Sequence, residues 1–242
     1  MSNRSLAPAR RCSARTDVGR VREVNEDAIL SMPRPGVWVV SDGMGGHDAG
    51  DFASRAVVEA LGALSPELAP AELMRAAREA VQAAHRRIGA ESERRGGAVI
   101  GATVVILVIA EAHFLCLWAG DSRLYRLREG RLEMLSLDHS VVGELVERGE
   151  LSWAEAERHP QSNQITRAVG VGARLEIDKR RGEALPGDRF LLCSDGLTRH
   201  VDEAALAAAL REAPVEAAAD LLVERALEGG GADNVSVIVV EA

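Results

Sequence analysis

Apolar positions along the chain gather in short, dense runs. Val37–Val40, Thr103–Ile109, Phe114–Trp118, Phe190–Cys193 and Val235–Val240 are rich in β-branched residues, and each is bounded by Gly, Asp or Ser, a pattern that predicts strands. Asp51–Leu64, Ala71–Arg87, Glu203–Leu210 and Val215–Leu227 are alanine-rich with arginine and glutamate interspersed, which predicts two pairs of helices. A doubly wound fold would alternate strand and helix. Here Thr103 to Leu135 instead predicts three or four consecutive strands joined by short turns at Glu111-Ala112 and Arg128-Glu129-Gly130. The pattern therefore points to antiparallel meanders covered by helices, an α+β architecture. Ser136–Gln164 interrupts the strand rhythm with polar and helical character and reads as an inserted surface element. No linker, low-complexity tract or internal repeat is visible, so a single folded domain is expected.

Composition narrows the class. With 242 residues, 47% hydrophobic and 27% charged, the chain can bury a full core, which excludes disordered, collagen-like and disulfide-scaffold readings. Acidic residues outnumber basic ones 37 to 29, a net charge of -8, so polyanions are repelled and nucleic acid is an unlikely partner class. Lys179 is the only lysine, which leaves arginine as the source of positive charge and removes lysine-dependent chemistry elsewhere. Cys12, Cys116 and Cys193 are odd in number and widely spaced, as in reduced thiols, and form no zinc-type pairing. The polar N-terminus lacks an apolar signal core, and the longest apolar run, Ala102 to Ala110, is far short of the roughly 20 residues that span a bilayer. A cytoplasmic protein without a membrane span, and without an anchor or sensor domain, is the expectation.

Candidate chemistry lies at strand ends. Val39-Val40-Ser41-Asp42-Gly43, Leu117-Trp118-Ala119-Gly120-Asp121 and Leu192-Cys193-Ser194-Asp195-Gly196 each carry an apolar strand into an aspartate flanked by glycine. One such ending is an ordinary turn. Three, with Asn25-Glu26-Asp27 upstream and Asp233-Asn234 just before the last strand, would converge if those strands are neighbours. Converging carboxylates repel unless a cation compensates, and an all-oxygen set suits Mg²⁺ or Mn²⁺. Gly43, without a Cβ, can bring its carbonyl close to an ion. Two cations can activate one water for in-line attack on phosphorus, which makes phosphate-ester hydrolysis the natural reaction class. Arg22, five residues before Asp27, could hold the phosphate oxygens, and His47, closing Gly45-Gly46-His47, could protonate a leaving alkoxide. Taken singly, Arg22 reads first as a solvated surface residue, and His47 reads equally as a loop histidine.

Arg22-Glu23-Val24-Asn25-Glu26-Asp27, Ser41-Asp42-Gly43-Met44-Gly45-Gly46-His47, Gly101-Ala102-Thr103, Ala119-Gly120-Asp121-Ser122-Arg123, Asp138-His139-Ser140, Ile165-Thr166-Arg167-Ala168-Val169-Gly170, Leu192-Cys193-Ser194-Asp195-Gly196-Leu197 and Asp233-Asn234-Val235 occur in this order along nearly the whole chain. Together they resemble the signature segments of the PPM family, the metal-dependent, type 2C serine/threonine protein phosphatases, in a compact bacterial form. The resemblance implies a β-sandwich of two antiparallel sheets flanked by pairs of α-helices, four layers in all, over residues 16–242, with 1–15 as a polar N-terminal extension. It implies hydrolysis of phosphoserine and phosphothreonine with two Mn²⁺ or Mg²⁺ ions and a weaker third. Asp42 falls on the carboxylate that bridges both metals, the Gly43 carbonyl on the first metal, and Asp195 and Asp233 on the second. Asp27 matches an acid acting through water, and Asp121 joins Asp195 at the third site. Arg22 falls on the phosphate-binding arginine, His47 on the general acid, and Asn234 on the residue orienting the last ligand. Ser136–Gln164 corresponds to the family's flap. Phosphorylated proteins, a cognate serine/threonine kinase and that kinase's targets are the implied partners. Alanine at Ala102 and valine at Val169 depart from the commonest family residues, and neither removes a ligand.

Two other readings compete. Cys193 to Arg199 satisfies the C-x5-R spacing of cysteine-dependent phosphatases, although Asp195 inside that loop would face the anion. The domain could also bind phosphoproteins without turning them over, which the intact acidic set disfavours. A P-loop is excluded because Lys179 lies between Asp178 and Arg180, away from any glycine-rich turn.

Overall fold

The computed structural model describes residues 9–46, 48–156 and 158–242. In chain order the elements are β1 (Cys12–Asp17), β2 (Asp27–Met32), β3 (Val37–Met44), α1 (Ala49–Gly62), α2 (Pro70–Arg94), β4 (Gly101–Ala102), β5 (Val104–Ala110), β6 (His113–Ala119), β7 (Arg123–Arg128), β8 (Arg131–Met134), α3 (Val141–Glu147), α4 (Trp153–Ala156), β9 (Asp178–Glu183), β10 (Arg189–Cys193), α5 (Asp195–Thr198), α6 (Glu203–Glu212), α7 (Val215–Glu228) and β11 (Val235–Glu241). One sheet runs β2-β3-β5-β6-β9 with β4 paired to the end of β3; the other runs β1-β11-β10-β7-β8. Every named strand pairing is antiparallel.

Why the strand runs lack polar alternation is clear from where successive side chains go. Val37 and Val39 pack with Ala53, Val57 and Val81 of α1 and α2, whereas Trp38 and Val40 turn to the opposite face, into the layer shared with Phe190, Leu192 and Ile238. In β11, Val235, Val237 and Val239 meet Leu206, Leu222 and Val223 of α6 and α7, while Ile238 and Val240 face the other sheet. Each sheet is thus covered on both faces, so both parities of each strand must be apolar. The result is the expected four-layer α+β sandwich, with α1 and α2 outside one sheet and α6 and α7 outside the other.

Several boundaries differ from the sequence expectation. The four strands from Val104 to Met134 exist, but they are two hairpins in different sheets, with Gly120-Asp121-Ser122 carrying the chain across. Gly120 makes that crossing at φ +109, and a Cβ there would lie 2.7 Å from the Thr103 side chain. Helix α2 continues to Arg94, past the expected Arg87, its N-terminus opened by Pro70 and by Glu72 accepting a hydrogen bond from the Ala69 N–H at 3.1 Å. The boundary expected at residue 16 falls inside β1, whose Cys12 is paired with Val240; the sheet therefore begins within what composition reads as a polar extension. Residues 136–164 form α3, α4 and loops, tied at their base by a Val141 N–H to Gln164 carbonyl bond of 2.9 Å. Among the described residues no helix is long and apolar enough to cross a membrane.

Candidate active site

The two sheets present their aspartates at one end of the sandwich. Asp27 opens β2 and Asp42 lies near the end of β3, and the register sets them directly opposite one another. Such cross-strand neighbours sit side by side, and like charges there are unfavourable. The strand ends are pinned where the acids emerge: the Asp42 N–H donates to Thr103 Oγ1 at 2.9 Å, the Thr103 N–H donates to the Asp42 carbonyl at 2.8 Å, and Thr103 and Ser122 hydroxyls lie 2.7 Å apart. Gly43 follows in a crowded place. A Cβ there would fall 2.1 Å from the Gly50 carbonyl oxygen and 2.6 Å from that of Glu26, so only glycine fits.

From the second sheet, Ser194 leaves β10 fully buried and donates its hydroxyl to Asp27 Oδ2 at 2.8 Å, linking the sheets at the site. Asp195 then opens α5. Asp233 lies just before β11, and Asn234 beside it staples the loop that carries Arg22. The Asn234 amide donates to the Val18 and Val24 carbonyls at 2.9 and 3.0 Å, and its Oδ1 accepts from the Glu26 N–H at 2.8 Å. Arg22 reaches Asp233 through Nε at 3.0 Å and Nη2 at 3.1 Å. Arg199, four residues beyond Asp195, bonds Asp195 Oδ2 and, through Nη1 at 3.2 Å, Asp233 Oδ2. Asp121 is buried at the crossing between the sheets. Together with Asp195, Arg199, Arg123, Trp153 and Asn163 it lines a cavity of about 290 Å³ beneath the 136–164 segment. Arg123 anchors that segment, paired with buried Asp138 at 2.7 Å and lying 4.7 Å over the Trp153 ring.

The electrostatics follow from this crowding. Burial pushes the Asp27 carboxyl up to about 7, against the hydrogen bonds from Ser236 and Ser194, with Asp195 and Asp233 adding repulsion. Burial, then the charges of Asp27, Asp195, Asp121 and Asp233, holds Asp42 well above the usual carboxylate range. Asp121 is raised well above that range by burial, Asp195 and Asp138. Asp195 is raised by burial even though Arg199 opposes the shift.

Whether these residues fit a divalent cation can be judged from their unsatisfied atoms. Asp27 Oδ1 and Asp195 Oδ1 are buried and accept no hydrogen bond from the described residues, an expensive arrangement that a hard cation would relieve. Oxygen donors, raised carboxyl pKa values and the bare backbone at Gly43 all suit Mg²⁺ or Mn²⁺. In the arrangement seen, no group of three or more His, Cys, Asp or Glu side chains among the described residues is drawn together tightly enough to hold an ion. Arg22 and Arg199 instead grip Asp233 and Asp195. The donor set fits the cations.

The structure brings Asp27, Asp42, Gly43, Asp121, Asp195, Asp233, Asn234 and Arg22 to this end of the sandwich. His47 lies outside the described residues. The cysteine-loop reading fails: Cys193 packs against the α6/α7 side of β10, burial pushes its thiol up to about 12, and Arg199 is committed to carboxylates. Sequence reasoning missed Ser194 as the hydroxyl partner of Asp27 and Arg199 as a bridge. The repeated Ser-Asp-Gly ending signalled the first, since Ser41 and Ser194 are both fully buried.

Comparisons with known proteins bear on the same arrangement. The family model for protein phosphatase 2C matches residues 19–227. The serine/threonine protein phosphatase PstP of Mycobacterium tuberculosis is 38% identical over 232 residues, 96% of this chain, and the chain spans 45% of that protein's length. The serine/threonine phosphatase stp of Listeria innocua is 36% identical over 237 residues, 94% of each chain. Among solved structures, one described as PppA, a key regulatory component of T6SS in Pseudomonas aeruginosa, superposes with a TM-score of 0.90 at 42% identity, covering 97% of this chain and 98% of that one. The catalytic domain of PstP in complex with two manganese ions gives a TM-score of 0.87 at 37% identity, over 96% and 97% of the respective chains.

Proposed function

Because the chain belongs to the protein phosphatase 2C family, we propose that it hydrolyses phosphoserine and phosphothreonine in proteins, using water activated at a pair of divalent cations. The observation that carries this reading is the convergence of Asp27, Asp42, Asp195 and Asp233 from two sheets, with two buried carboxylate oxygens that accept no hydrogen bond from the described residues. Such cations supply a nucleophilic water at neutral pH and neutralise charge developing on the phosphoryl group. Asp42, the Gly43 carbonyl, Asp195 and Asp233 would hold two ions, Asp27 would act through water, and Asp121 with Asp195 would hold a third, weaker one. The two manganese ions in the PstP structure support the number, and Mn²⁺ or Mg²⁺ fits the oxygen donors.

The chain's own residues do the rest. Asn234 fixes the 18–26 loop so that Arg22 stands at the rim beside Asp233, where its planar fork can hold two phosphate oxygens. Ser194 directs Asp27 inward, and Thr103 fixes the backbone on which Asp42 stands. His47 is assigned, from its place in the motif, to protonate the leaving serine or threonine oxygen. The substrates are phosphorylated proteins, and a serine/threonine kinase with its targets is the expected counterpart. The chain's similarity to the serine/threonine phosphatases PstP and stp, and to PppA, a regulatory component of T6SS, supports this. A cytoplasmic setting agrees with three unpaired thiols, Cys12, Cys116 and Cys193.

Hydrolysis of a phosphothreonine peptide, measured with Mn²⁺ and after EDTA, tests the reading. Activity that depends on the metal and is lost in Arg22→Ala through a raised KM supports it. Equal turnover by Arg22→Ala would remove the phosphate-holding role. Phosphopeptide binding without turnover by the unaltered chain would favour the scaffold reading instead.

A further inference from the structure

Arg199 places its positive charge on two carboxylate groups that a metal ion would share, at Asp195 Oδ2 and Asp233 Oδ2. It follows the four-residue helix α5 that starts on Asp195, and side chains of a helix lean back toward its N-terminus, so a residue at the fourth position onward reaches over the first. The guanidinium bonds Asp195 Oδ2 and spans to Asp233 Oδ2 on the loop before β11, joining acids from two separate elements. The contact is held by the backbone around it. Gly196 lies against the Asn234 carbonyl, where a Cβ would approach to 2.0 Å, and a Cβ at Gly19 would approach the Asp233 carbonyl to 2.2 Å. Asp195 and Asp233 are therefore at fixed separation, spanned by one planar fork. The other cation at the rim, Arg22, bonds Asp233 and no other acid among the described residues, so Arg199 is the arginine that ties Asp195 to its neighbour.

We propose that Arg199 is a built-in counter-cation that competes with the second divalent ion for Asp195 and Asp233, and so sets the metal concentration at which this chain becomes loaded. This rests on the reading of the acids as a binuclear metal site. Two cations that repel one another at shared ligand groups are linked reciprocally: the more the arginine's contacts favour the metal-free arrangement, the weaker the ion binds. The guanidinium is about a third exposed, with a side-chain exposure of 34%, so it can swing out to solvent when displaced. Among the described residues Asp42 and Asp27 have no such arginine as a bonded partner, so of the two paired ions the competition falls on the one held by Asp195 and Asp233.

Calorimetric titration of Mn²⁺ into metal-stripped protein tests this, with melting temperature in EDTA as a second reading. Arg199→Met is expected to bind one Mn²⁺ about tenfold more tightly than the unaltered chain, the lower part of the usual coupling range, with the other site unchanged. It is also expected to melt at a lower temperature in EDTA and at the same temperature in saturating Mn²⁺. Arg199→Lys, which keeps the charge and loses the fork, should lie between the two and serves if Arg199→Met does not fold. If the unaltered chain binds two Mn²⁺ and both variants bind them equally well or more weakly, Arg199 does not compete with metal and the proposal is overturned. If the unaltered chain binds no Mn²⁺ at all, it is the metal reading of the acids that fails.

Discussion

Replacing Asn234 by alanine tests how the Arg22 loop is built. The side chain is 6% exposed and makes three hydrogen bonds, donating to the Val18 and Val24 carbonyls and accepting from the Glu26 N–H. Alanine removes all three and leaves the Glu26 N–H and the Val18 carbonyl half-buried without partners. Each lost bond is worth about 1 kcal/mol. Val24 is exposed, so water can replace its partner, and the net cost is about 2–3 kcal/mol. For a domain of this size that corresponds to a fall in melting temperature of roughly 5–10 °C. Differential scanning calorimetry in EDTA reads the stability, and the KM for a phosphopeptide in saturating Mn²⁺ reads the position of Arg22. Asn234→Asp retains an acceptor for Glu26 but has no donors and adds a charge to the acid cluster, so it should be at least as destabilised without metal. A melting temperature within about 1 °C of the unaltered chain, with unchanged KM, would show that the loop is held by something else and refute the stapling argument.

Asp42→Asn is expected to abolish phosphopeptide hydrolysis, yet to stabilise the metal-free fold by up to about 1 kcal/mol once the pH is high enough to ionise both Asp27 and Asp42, by removing the like charge opposite Asp27, measurable by urea unfolding in EDTA at alkaline pH; lower stability there would contradict the register-based repulsion. The metal-free protein should also lose stability as pH rises. The unfolded chain releases the Asp27 proton near its ordinary 3.8 while the folded chain keeps it to about 7, so stability present below pH 4 is lost on rising through 7, roughly 3 kcal/mol between pH 5 and 8. A flat stability profile in EDTA over that range would count against burial of Asp27. Thiol alkylation at pH 8 should leave activity intact, because Cys193 is buried with its thiol pushed up to about 12, whereas EDTA should abolish it; inactivation by iodoacetamide that survives EDTA treatment would revive the cysteine mechanism.

Sequence alone determined the elements whose apolar runs are continuous. Val37–Val40, Val104–Ile109 and Val235–Val240 are legible as strands because burial on both faces removes the polar alternation that would blur them. Asp42, Asp121 and Asp195 were legible for a related reason: each follows an apolar run, so the strand end and the carboxylate announce each other, whereas Asp27 stands at the start of a strand and Asp233 just before one. What sequence could not decide was anything set by a neighbour distant in the chain. β9 reads Asp-Lys-Arg-Arg-Gly-Glu and becomes a strand only because β6 offers it an edge. β1 was hidden inside a polar segment until β11 paired with it. The four-strand meander is split between sheets at Gly120-Asp121-Ser122, a division invisible in hydropathy because both hairpins have the same pattern. Tertiary structure alone set Asp27 opposite Asp42, tied Ser194 to Asp27 across 167 positions and laid Arg199 between Asp195 and Asp233. Charge pairing depends on distance in space, which local residue preference does not encode.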